Sequence, residues 1–172
     1  MSTPIRIAET FFAHWNANRI DAALAMLSED VLYDNVPFPD IAGREEVGKF
    51  HRGFGVGSDF LLDWKITHIA ASGNVVLNER IDVFRHREGG SIVLPVMGLL
   101  KIDDGRISVW RDYFDPADFE RQLAALRGAQ DQGMIARLTR TSTMACAMAA
   151  GCRACRSARH PARPSTGTRS GR

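Results

Sequence analysis

Three turn signals between residues 60 and 114 divide this stretch into four long runs of strand character, and that spacing limits the fold more than any other feature. Ser72-Gly73-Asn74, Arg87-Glu88-Gly89-Gly90 and Asp103-Asp104-Gly105 each gather the residues that hairpin turns use. The runs between them, 60–71, 75–86, 91–102 and 106–114, read as a meander of long strands. Helices come first. Thr3-Pro4 offers a capping hydroxyl and a first-turn proline, and Ile7, Phe11, Phe12 and Trp15 follow at helical spacing, which predicts a helix over 4–16. Residues 19–27 read as a second helix with Ile20, Ala23, Leu24 and Leu27 on one side. Val31 to Val36 reads as a strand halted by Pro37 and Pro39. A third helix starts at Gly43-Arg44-Glu45-Glu46 and runs to about Gly53, and a last one starts at Asp115-Pro116 with Phe119, Leu123 and Leu126 on one side. Helices followed by a meander predict an α+β fold: a single curved, mostly antiparallel sheet wrapped around the N-terminal helices and closing one pocket.

The 172 residues fit one domain and an appendage. The net charge of +2 conceals a split: residues 1–126 hold 13 Lys+Arg against 19 Asp+Glu, and residues 127–172 hold 9 Arg against one acid, Asp131. Every Phe, Tyr and Trp lies between Phe11 and Phe119. A packed core needs such residues, so 1–126 is expected to be the folded domain and 127–172 an Arg-rich extension without a core, expected to be disordered. All three cysteines (Cys146, Cys152, Cys155) fall in the extension, and no secretory signal precedes the first helix; a reducing cytoplasm suits such a domain. No apolar run approaches the roughly 18 residues of a membrane span, so no membrane partner is expected. The extension lacks aromatics to stack on bases and any nucleic-acid motif, so no nucleic-acid partner is expected either.

Charged residues interrupt two of the strands. Asn78, Arg80, Asp82 and Phe84 alternate onto one face of their strand, and Trp110, Asp112 and Phe114 onto one face of theirs, with Arg111 and Tyr113 opposite. Tyr33 and Asn35 share a face of the first strand. Each has a plain reading alone: Arg80–Asp82 as an exposed ion pair, Asp112 as an exposed acid, Asn35 as a turn residue and Tyr33 as core. Taken together, three strands bring complementary polar groups with apolar neighbours. Ionised groups are seldom buried without partners, so a shared cavity is the reading that accounts for all of them.

The stretches Tyr33-Asp34-Asn35-Val36-Pro37, Glu79-Arg80-Ile81-Asp82-Val83 and Trp110-Arg111-Asp112-Tyr113-Phe114-Asp115 resemble, in order and separation, those of the limonene-1,2-epoxide hydrolase family. That family belongs to the NTF2-like, ketosteroid-isomerase-like cone folds, and the resemblance covers roughly residues 4–125. It implies that Asp112 is the base, that Asp82 protonates the epoxide oxygen, that Arg80 holds the two acids, and that Tyr33 and Asn35 hold the attacking water. The expected activity is hydrolysis of a lipophilic epoxide to a vicinal diol without a cofactor, by one-step attack of water, in a homodimer. The residue types agree: water needs a carboxylate to take its proton, the oxygen needs an acid, and two carboxyls sharing a site favour one proton between them. Terpene, sterol, fatty-acid and polyketide epoxides would all use the same polar cluster.

Leu62, Trp64, Leu94, Val96, Met97, Leu99, Leu100, Trp110 and Phe114 are the expected apolar walls of the pocket. No metal is expected, because His14, His51, His68, His86 and His160 show no ligand spacing, and Cys152-Arg153-Ala154-Cys155 lacks the context of a redox or zinc motif. The rival readings are an isomerase or cyclase with a single Asp base, and a non-catalytic ligand-binding module.

Overall fold

The computed structural model describes residues 3–148, and the side chains of those up to residue 133. Thr3 caps α1 (Pro4–Asn16), its side chain accepting from the Arg6 backbone N–H, and Ala8, Phe11, Phe12 and Trp15 form the buried face of that helix. The second helix, α2, spans only Ile20–Leu24. Leu27, expected on its apolar side, instead opens β1 (Leu27–Val36), because it pairs with Ile107 in the sheet. Pairing across the chain overrides the local helical spacing here. A two-residue strand β2 (Ile41–Ala42), too short to leave a pattern, adds to β1 before α3 (Arg44–Gly53).

The four predicted long strands follow at the predicted turns: β3 (Phe60–Ser72), β4 (Val75–His86), β5 (Ser91–Asp103) and β6 (Arg106–Tyr113). The last helix, α4, runs Pro116–Met148. Residues 127–148 continue it; the rest of the extension, residues 149–172 with Cys152 and Cys155, lies outside the described residues. The chain divides into a unit Met1–Gln130 and a second, Asp131–Arg172. The sheet and α1–α3 belong to the first.

The sheet order is β2-β1-β6-β5-β4-β3. The pairs within the meander and β1–β2 are antiparallel, whereas β1 and β6 run parallel. Register shifts between Ile66 and His68 and between Lys101 and Ile102 bend the strands, as bulges do. The concave face packs on α1, where Phe11, Phe12 and Trp15 meet Trp64 and Trp110 in one core. The alternation along β5 is regular: Ile92, Leu94, Val96, Leu100 and Ile102 face in, and Val93 and Met97 face out.

Candidate active site

β5 separates the strand that carries Arg80 from the strand that carries Asp112. Two strand spacings amount to roughly 9–10 Å, a gap that only a long side chain can bridge. Arg80 bridges it. Its Nε donates to both oxygens of Asp82, at 2.9 and 3.1 Å, and its Nη1 donates to Asn78 Oδ1 at 2.8 Å. Its Nη2 lies 2.6 Å from Asp112 Oδ2. The guanidinium is 0% exposed and lies over the rings of Phe12 and Trp64, 4.7 and 5.7 Å from their centroids.

Gly98 makes that crossing possible. It sits on β5 in register with Asn78 on one side and Asp112 on the other. A Cβ there would collide with Arg80 Nη1 and would stand 2.8 Å from Asn78 Oδ1. The glycine therefore opens a notch in the middle strand through which the guanidinium reaches the third. Gly98→Ala is expected to displace the guanidinium, lowering turnover about 100-fold, the scale of a misplaced site group, and costing about 1–3 kcal/mol of stability. Steady-state kinetics with thermal melting checks this; wild-type turnover in the variant would mean that the notch is incidental.

Parallel pairing places Asn35 beside Asp112 and Tyr33 beside Trp110. Asn35 Nδ2 donates to Tyr33 Oη at 2.7 Å. That leaves the Tyr33 O–H free to donate and Asn35 Oδ1 free to accept. Burial, with the nearby Asp112 adding to it, holds the Tyr33 hydroxyl well above its ordinary pKa, so it stays protonated. The two oxygens of Asp112 have different surroundings. Its Oδ2 accepts from Trp110 Nε1 at 2.8 Å and faces Arg80, whereas its Oδ1 is buried with no partner among the described residues.

Asp82 is pushed up to about 7, chiefly by burial and further by the charge of Asp112, against the opposing pull of Arg80. Arg80 stays charged: burial opposes its charge, but Asp112 and Asp82 hold its pKa above the ordinary value. One guanidinium between two buried carboxyls leaves a single excess negative charge, and one proton on Asp82 removes it.

These groups open into a cavity of about 100 Å³. Of the expected walls, Trp64, Leu94, Val96 and Phe114 line it. Leu62, Leu100 and Trp110 do not; they are buried in the core beneath. Trp110 acts instead as the donor that fixes Asp112. Met97 and Leu99 alternate onto the outer face of β5, and Met97 is 51% exposed. Arg111 also points outward, as expected, and pairs with Asp34 at 2.6 Å.

Sequence reasoning missed Phe38, Phe50, His51, Phe54, Val56, Phe84 and Phe119 in the lining. Phe50, His51 and Phe54 had a helical spacing that signalled one face of α3, and Phe84 shared the Arg80 face at period 2. A second hollow of about 400 Å³ shares Tyr33, Asn35, Phe38, Phe50, Phe54 and Phe119 with the first and extends it past Ile41 and Leu123.

His51 is the fifth polar side chain of the inner cavity. Burial lowers it to about 4, against the hydrogen bond to Val47 O, which raises it. The imidazole is therefore neutral at neutral pH, and it stacks on Trp110 with centroids 5.3 Å apart and planes 13° apart.

The family model of the limonene-1,2-epoxide hydrolase catalytic domain matches residues 2–125. The chain is 35% identical over 126 residues to epoxide hydrolase EphG of Mycobacterium tuberculosis, covering 70% of this chain and 77% of that protein. An LEH-like epoxide hydrolase structure from M. tuberculosis superposes with a TM-score of 0.62 at 33% identity, covering 73% of this chain and 96% of that one. A SnoaL-like protein from Shewanella putrefaciens shares the fold, with a TM-score of 0.62 at 17% identity, over 73% of this chain and 98% of its own. Since the match spans the whole sheet and its three polar strands, the chain belongs to the limonene-1,2-epoxide hydrolase family, and it is an epoxide hydrolase.

Proposed function

We propose that the protein hydrolyses a lipophilic epoxide to a vicinal diol in one step, using water as the nucleophile and no cofactor. A water held at Asp112 Oδ1 would donate one proton there and the other to Asn35 Oδ1, and would accept from the Tyr33 O–H. One lone pair is then left to attack carbon. As the new C–O bond forms, the epoxide C–O bond breaks and its electron pair takes the proton of Asp82. Asp112 ends protonated and Asp82 ionised, and exchange with bulk water restores both. Arg80 offsets the charge of whichever acid is ionised.

The observation that carries this reading is the contrast between the two acids. Asp112 keeps one buried oxygen without a protein partner, and Asp82, facing the same cavity, has its pKa raised to about 7. Incubation with a panel of terpene, fatty-acid and steroid epoxides, followed by mass-spectrometric detection of diols, tests the activity. At least one diol is expected from protein dialysed against a chelator, and the proposal fails if no panel member is opened.

The pH profile follows from Asp82. A raised carboxyl serves as acid only while protonated, so kcat/KM is expected to fall above about pH 7, approaching tenfold per pH unit. A rate that stays level from pH 6 to 9 would remove Asp82 from the acid role.

We also propose a homodimer. On the outer sheet face, Leu77, Val93, Met97 and Tyr113 are all more than two-fifths exposed, and Met97 and Tyr113 stand in register. Such contiguous apolar surface marks an interface. Met97→Glu, which adds a charge opposite Glu79, is expected to convert the dimer to monomer in sedimentation equilibrium; a monomeric wild type would overturn the dimer. Among the described residues no helix is long and apolar enough to cross a membrane.

A further inference from the structure

Five polar side chains line the inner cavity, and the proposed mechanism employs four of them: Tyr33, Asn35, Asp82 and Asp112. His51 is left over. Its Nδ1 lies 2.9 Å from the Val47 carbonyl oxygen, one turn back on α3. A carbonyl only accepts, so Nδ1 carries the hydrogen, and in the neutral ring Nε2 has none. No partner for Nε2 is present among the described residues. The ring cannot turn to satisfy Nε2 elsewhere without losing the Val47 bond and its stacking on Trp110, and Trp15 and Tyr33 confine it further, with centroids 4.7 and 5.2 Å away. The cavity thus presents one fixed hydrogen-bond acceptor on a wall otherwise built from phenylalanine, valine, leucine and tryptophan.

We infer that His51 is a specificity-determining residue whose Nε2 accepts a hydrogen bond from a hydroxyl on the substrate, so that the preferred substrate is a hydroxylated epoxide rather than a plain hydrocarbon one. The inference rests on the proposed function and names the substrate class of that same site. A hydrocarbon epoxide that fills the cavity strips water from Nε2 and returns nothing, whereas a hydroxyl at the right place donates to it. Sites that bond a substrate hydroxyl discriminate strongly against the analogue that lacks it, because the polar group of the site is then left unpaired.

The test compares a cyclic terpene epoxide with its monohydroxylated positional isomers, as kcat/KM for wild type and for His51→Phe, which keeps a stacking ring and loses the acceptor. For wild type, at least one isomer is expected to exceed the parent by roughly tenfold or more. In His51→Phe that ratio is expected to fall to within about threefold of unity, mainly through KM. Wild-type measurements alone keep the inference falsifiable should the variant not fold: a wild type that opens the parent but favours no hydroxylated isomer overturns it. An unchanged ratio in a folded His51→Phe overturns it as well. A wild type that opens neither parent nor isomers overturns the proposed function with it, so the two failures are told apart.

Discussion

Asp112→Asn is expected to lower kcat by a factor of roughly 100–10,000, the range contributed by a positioned general base, with KM changed only a few-fold. The direction follows from the hydrogen bonds already made. Trp110 Nε1 donates its N–H to Oδ2 and the Arg80 guanidinium lies 2.6 Å from the same oxygen, so the amide must place its oxygen there. Its NH2 then occupies the position of Oδ1 and turns the buried, unpartnered acceptor into a donor. A water held there could no longer lose its proton as it attacks. Asp82→Asn is expected to be equally severe for a different reason. The amide oxygen still accepts from Arg80 Nε, so the cluster stays assembled, but no acidic proton remains for the epoxide oxygen. A loss of kcat without a matching rise in KM would show that both groups act in the transition state rather than in binding. Either variant keeping kcat within tenfold of wild type would remove that residue from its proposed role.

Arg80→Met is expected to cost about 3–5 kcal/mol of folding stability at pH 8, the cost of removing one partner of a buried ionic cluster. Asp82 and Asp112 would then face each other across the Gly98 notch with no cation between them. The pH dependence has a definite sign. Arg80 is the group that pulls Asp82 down, so without it the folded-state pKa of that acid rises beyond about 7. A carboxyl raised in the folded state contributes stability that is fully present below its unfolded value, near 4, and is lost as pH rises through the folded value. The deficit of Arg80→Met relative to wild type should therefore be small near pH 4 and largest near pH 8. Urea denaturation of both proteins across that range measures it. A deficit that does not change with pH would mean that Arg80 stabilises through packing on Phe12 and Trp64 alone.

The parts of this site that were legible in the sequence are those set by period-2 alternation. Asn78, Arg80 and Asp82 had to share a face wherever β4 went, and so did Trp110, Asp112 and Phe114 on β6. The outward turn of Arg111 followed from the same rule and is met by Asp34. What alternation could not give was the order of the strands. With β5 between β4 and β6, the cluster needs a long side chain and a gap in the middle strand, and Gly98 is meaningful only once that order is known. Trp110 illustrates the same limit. Its face was read correctly, but whether an inward tryptophan lines the cavity or lies beneath it depends on what α1 places against it, and Phe11 and Trp15 seal it off. Met97 and Leu99 were assigned to the wall by hydrophobicity although alternation with Leu94 and Val96 sends them outward. His51 was read for metal spacing, whereas its place in the cavity comes from one face of α3 meeting the open end of the sheet.

The central claim is that water attacks the epoxide directly, with Asp112 as its base and no covalent link to the protein. A single turnover in oxygen-18 water, with enzyme in excess over epoxide and the diol examined by mass spectrometry, tests it most directly. Direct attack predicts that the first-turnover diol carries one oxygen-18 atom and that no carboxylate of the protein acquires label. A first-turnover diol without label, accompanied by oxygen-18 in Asp82 or Asp112, would mean that a carboxylate attacks carbon and water only releases the product, which contradicts the account.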